Sequence, residues 1–560
     1  MQYSLTALAL MMVTGAFGAL VSLEKAVLRS EWKQSERAGA EEIHDVLFVI
    51  KQNNLDVIEK TLLEVSNPRS ATYGDYLTFE QVGELTRNDA GTKAVLDVLK
   101  QHGAFITKQT PYGQYIKARS TVGVWEELLG TTFHRFHNSM TNQTVNRALD
   151  VSIPEELAAH VTAVFGTVQF PLALAPRRAV HKLEIGPSDE ITPDVLNSYY
   201  NIPTNTGASS VSQALFESLG QYFSPSDLSQ FQTTYDLPQQ PIAEVIGGHE
   251  SDSQCTDNPN NCAEANLDVQ YMMAVSQVTP TTYWYDDSQL APFTDWIMQV
   301  ASDATPPLIN SISYGSVEDA LPTSVPQVFN TEAMKLGTMG VSIFVSSGDD
   351  GVANFQARNN PKECGYHPSF PASSPYVTAV GATQGPESDL EEIACQSNEG
   401  GVITTGGGFS TIFDAPSYQT SAISNYFDSL SRSQTPVSGY ATSGRGYPDI
   451  SAAGYNYVVV IGGEEYGVSG TSASSPVVAG MASLVNAIRS TPVGFLNPVL
   501  YASDADFFND VTSGVNDCTA GLVCCDEGFS ATSGWDPLTG HGSLNVQKFI
   551  DYMMALERRN

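Results

Sequence analysis

Ser469-Gly470-Thr471-Ser472-Ala473-Ser474-Ser475-Pro476-Val477-Val478-Ala479-Gly480-Met481 is the stretch from which the chain is best read. Gly470 permits a tight turn out of a glycine-rich segment. Small and apolar residues then run on through Leu484, Val485 and Ile488, which predicts a helix over Ser472–Arg489. Tyr457-Val-Val-Val-Ile461, just before it, reads as a buried strand. A serine that opens such a helix sits at its positive end, where backbone N–H groups can hold an oxyanion. Taken alone, it reads as an ordinary helix cap.

Upstream the same alternation continues. Strands are predicted at Pro241–Ile246, Pro307–Ser313, Val341–Val345 and Tyr376–Val380, and helices at Ala263–Val275 and Val328–Leu336. Apolar, β-branched runs separated by helices mean an α/β fold with a mostly parallel sheet, covered by helices on both faces. Residues 20–175 read differently, as a small α+β unit. It has a strand at Val46–Ile50, a helix from Leu55 to Val65 that stops before Asn67-Pro68, and short helices at Ala94–Leu99 and Trp125–Leu129. Residues 176–190, with Pro176-Arg-Arg178 and Gly186-Pro187, form a breaker-rich linker, and 191–560 is the large domain.

Charge divides the chain at the same place. The formal net charge is −34, of which residues 20–187 carry −2 and residues 188–560 carry −32. Such a surface repels phosphate backbones and argues against a nucleic-acid partner. It also repels itself at neutral pH and much less in acid, which suits a protein that works at low pH. A near-neutral unit dotted with Lys and Arg ahead of an acidic domain suggests a propeptide, with a pairing that weakens as carboxylates protonate. At 42% hydrophobic residues a sizeable core is available, and wholesale disorder is excluded.

Residues 1–19 read as a secretory signal peptide, although no Lys or Arg precedes the apolar run. No later stretch is long enough to span a membrane, so a secreted, extracellular protein is expected. Seven cysteines fit an oxidising compartment. By proximity Cys255 pairs with Cys262 and Cys364 with Cys395, leaving Cys518, Cys524 and Cys525 to supply a third bridge. Asn142-Gln-Thr144 is a glycosylation sequon.

Chemistry concentrates at a few positions. Gly-Thr-Ser472 followed four residues on by Pro476 is more specific than a helix cap, since it recurs in subtilisin-like peptidases. Those need a histidine, and the large domain has only His249, His367 and His541, none in a His-Gly-Thr-His context. It offers instead Glu264-Ala-Asn-Leu-Asp268, whose i, i+4 spacing puts two carboxylates on one helix face. A solvated acidic face would look the same, but this helix continues into Val269, Tyr271, Met272 and Met273 and should be buried. At about pH 4 an imidazole with a pKa of about 6.5 is almost wholly protonated, whereas a glutamate is roughly one-third to one-half ionised. A Ser–Glu–Asp arrangement therefore does in acid what Ser–His–Asp does at neutral pH. Asp349, in Ser347-Gly-Asp349-Asp-Gly351 after a strand, is a turn residue or, if protonated, a hydrogen-bond donor to an oxyanion.

Together these pieces resemble the sedolisin family of serine-carboxyl peptidases. The likeness rests on Ser66-Asn-Pro-Arg-Ser-Ala-Thr-Tyr73-Gly-Asp-Tyr-Leu77, Ile191-Thr-Pro193-Asp-Val-Leu196, Glu264–Asp268, Ser311-Ile-Ser-Tyr-Gly315, Ser347-Gly-Asp349, Phe370–Pro375, Gly406-Gly-Gly-Phe-Ser410, Pro448-Asp449 and Ser469–Ser472. The resemblance implies a subtilisin-like fold behind a ferredoxin-like propeptide that acts as intramolecular inhibitor and chaperone. It implies Ser472 as nucleophile, Glu264 as base, Asp268 orienting Glu264, Asp349 as oxyanion-hole acid, and Ser313, Tyr314 and Gly315 offering backbone to a polypeptide substrate. It further implies one Ca²⁺ held by Asp510 and Asp536 carboxylates and by carbonyls of Val511, Thr532 and Gly534. Thr532 stands where many relatives have Gly, which a carbonyl ligand tolerates unless the backbone needs positive φ. The expected activity is release of tripeptides from free N-termini. The alternatives are an endopeptidase of the same family and an inactive binding protein on the same scaffold; no catalytic residue is missing.

Overall fold

The computed structural model describes residues 19–172, 181–182, 189–205, 211–286, 288, 292–502 and 506–557. The expected signal peptide, apart from Ala19, and residues 176–180 and 183–188 of the expected linker lie outside them. The described chain falls into two units: residues up to Gln52 with Arg87–Val168, and Asn53–Thr86 with Gln169 onward.

The smaller unit contains a four-stranded antiparallel sheet ordered Phe105–Gln109, Tyr115–Thr121, Ile43–Ile50, Val161–Phe165. Helices Asp89–Gln101 and Val122–Leu129 complete a β-α-β-β-α-β order, the ferredoxin-like arrangement that was expected. Its core gathers Val46, Phe48, Ile50, Val95, Leu99, Ile116, Trp125 and Val164.

The larger unit is built on an eight-stranded sheet. Its order is Glu244–Ile246, Thr281–Tyr285, Gln213–Glu217, Ile309–Ile312, Ser342–Ser346 and Thr378–Gln384, all parallel. Ile393–Ala394 pairs antiparallel with Thr378–Gln384, and Ile450–Ala453 pairs with the same strand in parallel. The mostly parallel, buried sheet is as expected. Tyr457–Ile461 is not in it. That strand forms an antiparallel hairpin with Glu464–Val468, whose other edge takes His181–Lys182. An apolar run records burial but not the sheet that buries it.

Two buried helices carry the candidate chemistry. The carboxylate helix is Ala263–Ser276, and the serine helix is Thr471–Ile488. Gly480 is needed where they meet: a Cβ there would lie 2.9 Å from Val275 Cβ and 3.0 Å from the Met272 carbonyl. Gln213, at the start of its strand, ties both C-terminal halves together. Its Nε2 donates to Ser276 Oγ (2.7 Å) and its Oε1 accepts from Ser483 Oγ (2.7 Å). The helices are therefore parallel to each other, and both begin at the C-terminal edge of the sheet, where α/β proteins place their ligands.

Residues 53–86, expected in the propeptide, pack within the larger unit. Ile58 and Leu62 join Met334 and Phe495 in one cluster, and a Cβ at Gly337 would be 2.7 Å from Leu62 Cδ1. Tyr76 donates to the Val493 carbonyl (3.0 Å), and Tyr376 donates to Glu59 (2.7 Å).

Three disulfides form: Cys255–Cys262, Cys364–Cys525 and Cys518–Cys524. The first was expected; the pairing of Cys364 with Cys395 is corrected. Cys395 is buried with Ala382 and Ile403 and directs its sulfur to the Ile403 carbonyl. Two further features stand apart from the chemistry, one fully buried and one half-buried. Arg445 and Asp449 form an ion pair at 2.6 Å, with Asp449 also accepting from Ala379 N and Tyr501 Oη. Beside it, His541 packs between the Tyr501 and Phe508 rings, its Nε2 buried without a hydrogen-bond partner.

Burial pushes His541 down from the ordinary 6.5 to about 4. The unfolded chain thus binds a proton at pH 4–6.5 that the folded chain refuses. Stability is fully retained above pH 6.5 and falls as pH drops toward 4, by about 3 kcal/mol from this residue. His541→Phe should shrink the difference in Tm between pH 7 and pH 4. An unchanged pH dependence of Tm would refute this account of His541.

Candidate active site

The serine helix starts abruptly. Gly470 is extended, and Thr471 and Ser472 are its first two residues. Pro476 lies inside the helix and has no N–H to give the Ser472 carbonyl. That carbonyl instead accepts from Ser313 Oγ (3.3 Å), while Ser472 Oγ donates to the Ser313 carbonyl (3.2 Å). The proline of the motif thus has a physical reason: it frees a carbonyl that fixes the strand-end segment Ser313–Gly315 beside the serine. Gly315 lies under Ser369, whose Oγ would be 2.7 Å from a Cβ there.

Asp349 reaches the same helix end. Its Oδ1 accepts from Thr471 N and Thr471 Oγ1, each at 2.9 Å, and Thr471 Oγ1 accepts from Gly348 N (3.1 Å). Ser347 and Gly348 follow the strand Ser342–Ser346, so the loop arrives from the C-terminal edge of the sheet.

The carboxylate helix supplies the other side. Glu264 lies in its first turn and is half-buried; Asp268, one turn on, is fully buried. The Glu264 backbone N–H donates to Gln221 Oε1 (3.1 Å). A solvated acidic face is therefore excluded, because the helix is buried almost all round.

A third carboxyl joins them that the sequence reading did not single out. Glu217 ends the strand Gln213–Glu217, is fully buried, and accepts from Tyr314 Oη (2.7 Å). Burial first, and the Glu264 charge next, hold it well above the ordinary carboxylate range, against the Tyr314 hydrogen bond. Tyr314 is itself raised by burial and by the Glu217 and Glu264 charges. Tyr283 is raised by burial, with Glu217 and Asp268 among the charges that add to it. Ser472, Ser313, Tyr314, Asp349, Glu217, Glu264 and Asp268 thus share one edge of the sheet. An acid closing an apolar run, Ala214-Leu-Phe-Glu217, was the available signal.

The three histidines of residues 191–560 are engaged elsewhere. His249 stacks on Tyr285, His367 Nδ1 is 3.1 Å from Asp319, and His541 lies between Tyr501 and Phe508. The geometry offers a serine hydroxyl, a carboxylate pair and a carboxyl at a helix N-terminus, which is the equipment of acyl transfer.

The five expected calcium residues also come together, in a separate place. Asp510 Oδ2 accepts from Gly534 N (2.9 Å), and Asp536 Oδ2 accepts from Thr532 N (3.0 Å). Thr539 Oγ1 spans Asp536 Oδ1 (3.2 Å) and the Val511 carbonyl (3.5 Å). Thr532 does not adopt positive φ, so its side chain is tolerated; Gly534 does, at +84°. Burial pushes Asp536 up to about 7, against backbone hydrogen bonds from Thr539, Thr532 and Leu538. Among the described residues no Lys or Arg pairs with Asp510 or Asp536. An all-oxygen donor set around a buried carboxylate fits a hard divalent cation. Cys364, Cys525 and Glu527 also converge, but both sulfurs are in a disulfide.

Comparison with known proteins identifies the family and the fold. Residues 30–170 match the Pro-kumamolisin activation domain, and residues 254–491 match the subtilase family. The chain is 33% identical to tripeptidyl-peptidase 1 of Rattus norvegicus over 543 residues, which covers 93% of this chain and 94% of that protein. It is 32% identical to physarolisin of Physarum polycephalum over 588 residues, covering 96% of this chain and 98% of that one. Among solved structures, Pseudomonas sedolisin, a serine-carboxyl proteinase, covers 66% of this chain and 99% of its own with a TM-score of 0.52. At 24% identity that likeness speaks to the fold.

Proposed function

The chain belongs to the sedolisin family of serine-carboxyl peptidases, and on that footing we propose that it releases tripeptides from free N-termini in acid, through an acyl-enzyme on Ser472. It is a serine peptidase made with an activation domain. The observation that carries the mechanism is the meeting of Ser472, Asp349 and the Glu264–Asp268 helix at one sheet edge, with His249, His367 and His541 elsewhere.

In this reading Glu264 takes the proton from Ser472 Oγ as the oxygen adds to the scissile carbonyl. Asp268 orients Glu264. The two carboxyls share their titration, so the pair acts as one unit. The new oxyanion is held by Asp349, protonated at working pH, together with N–H groups at the start of the serine helix. Glu264 then protonates the leaving amine, and water reverses the sequence to free the acyl group. Glu217, neutral through burial, and Tyr314 pack behind Glu264 and keep its surroundings dry. Ser313–Gly315 lies along the peptide's path.

Asp510 and Asp536, with the carbonyls of Val511, Thr532 and Gly534, would hold one Ca²⁺. Bound there, the ion fastens the loops at 509–511 and 532–536 to each other. We further propose that the protein is secreted. Among the described residues no helix is long and apolar enough to cross a membrane. The activation domain serves as intramolecular inhibitor, and residues 53–86, packed within the larger unit, support that reading.

The test is product sequencing at pH 3–5. A long peptide with a free N-terminus should be shortened three residues at a time, and the same peptide with a blocked N-terminus should be left intact. Internal cutting of the blocked peptide at full rate would make the protein an endopeptidase instead.

A further inference from the structure

Asp350, directly after the proposed oxyanion acid, points the other way and is bound as firmly. The residue is 3% exposed. Oδ1 accepts from Arg358 Nε (2.8 Å) and from Ala520 N (3.0 Å), and Oδ2 accepts from Arg358 Nη2 (2.5 Å). This is the two-pronged guanidinium–carboxylate fork, the most orientation-specific ion pair available to side chains. We propose that Asp350 and Arg358 form a positioning pair that fixes the Asp349 carboxyl against the N-terminus of the serine helix. The inference rests on the reading of Asp349 as the oxyanion acid.

The backbone around Asp349 shows why a strut is needed. Gly348 and Gly351 flank the two aspartates with φ of +112° and +56°. Glycine on both sides gives the pair freedom to pivot. One face of the loop is held by main-chain bonds: Thr404 N to the Asp349 carbonyl (3.0 Å), and Gly351 N to the Thr404 carbonyl (3.1 Å). Asp350 is bridged to Thr404 and leads into a short 3-10 turn, and the two carboxyls take their hydrogen bonds from different partners, Asp349 from Thr471 and Asp350 from Arg358 and Ala520. Asp349 therefore faces Thr471, and Asp350 faces away from it.

What Asp350 faces is rigid. Arg358 is seated under the loop closed by the Cys518–Cys524 disulfide: its carbonyl accepts from Thr519 Oγ1 (3.1 Å). Gly521 lies so close to that carbonyl that a Cβ there would be 1.8 Å away. Val352 N donates to the Asn516 carbonyl (3.0 Å), and a Cβ at Gly351 would be 2.3 Å from the same oxygen. The Cys364–Cys525 bridge fastens this C-terminal loop to the segment after the strut. Asp349 is thus held from the front by Thr471 and from behind, through Asp350, by a disulfide-braced platform. Misplacing a catalytic group by about 1 Å costs on the order of a hundredfold in rate.

The experiment uses the processed enzyme, a chromogenic tripeptide amide and a tripeptide aldehyde, whose adduct with Ser472 places an oxygen in the oxyanion site. The variants are Asp350→Asn, Arg358→Gln, the double variant, and Asp349→Asn as reference. Asp350→Asn and Arg358→Gln should each lower kcat by roughly ten- to a hundredfold, with KM within about twofold and the aldehyde weakened by the same factor as kcat. The double variant removes the uncompensated buried charge, so its Tm should recover while its kcat stays low. Recovery of kcat together with Tm would reduce the pair to a stabilising role and overturn the proposal. So would normal kcat in both single variants beside a reference variant that has lost activity. Should Asp349→Asn itself keep normal kcat, the reading of Asp349 fails, and the inference fails with it.

Discussion

Ser472→Ala is expected to lower kcat by on the order of a millionfold, the scale on which serine peptidases respond to loss of the nucleophile. The residual rate would come from binding and from the oxyanion donors alone. The cost to the fold should be small. Ser472 Oγ donates to the Ser313 carbonyl, and the reciprocal bond from Ser313 Oγ uses the Ser472 main chain, which alanine keeps. Leaving the Ser313 carbonyl with one partner fewer is worth roughly 1–3 kcal/mol at most. The measurement is single-turnover kinetics beside a thermal melt. A variant that stays folded and still turns over within tenfold of the parent would remove Ser472 from the mechanism.

Glu264→Gln should cost on the order of ten-thousandfold in kcat, because an amide of the same shape cannot accept the serine proton. KM should change little, since Glu264 acts on the serine and binds little of the substrate. Asp268 behind it is fully buried, and the helix is held by Asn266 and Gln270, which both donate to the Val460 carbonyl (2.9 and 2.8 Å). The neutral amide should therefore be accepted without unfolding. Removing the Glu264 charge also removes one of the two influences that raise Glu217, so Glu217 should titrate lower in the variant. Normal turnover by a folded Glu264→Gln enzyme would end the carboxylate-base reading.

Much of this site could be read from residues alone, for physical reasons that differ from place to place. The serine helix announced itself through an unbroken small and apolar run after Gly470. The carboxylate helix did so because Glu264 and Asp268 sit inside a segment too apolar to be a solvated face. Glu217 was hidden. Its strand begins with Gln213 and ends with the acid, and a polar residue at each end masks a strand that is buried throughout. Only the fold shows that Gln213 is satisfied by Ser276, Thr281 and Ser483. Long-range pairing was equally out of reach: Cys364 joins Cys525 across 161 residues, where proximity in sequence favoured Cys395. Asp350 was read with Asp349 as part of one turn, and nothing local says that the two side chains part company. Residues 53–86 looked continuous with the α+β unit around them, yet Ile58, Leu62 and Tyr76 find their partners at Met334, Phe495 and Val493.

The central claim is that a carboxylate, with no imidazole involved, deprotonates Ser472. The most direct test is the pH dependence of kcat/KM for the processed enzyme on an uncharged tripeptide amide. The account predicts activity confined to the acid range, with both limbs set by carboxyl groups and none by an imidazole. A rate that climbs through about pH 6.5 and stays high to pH 8, as an imidazole base requires, would contradict it.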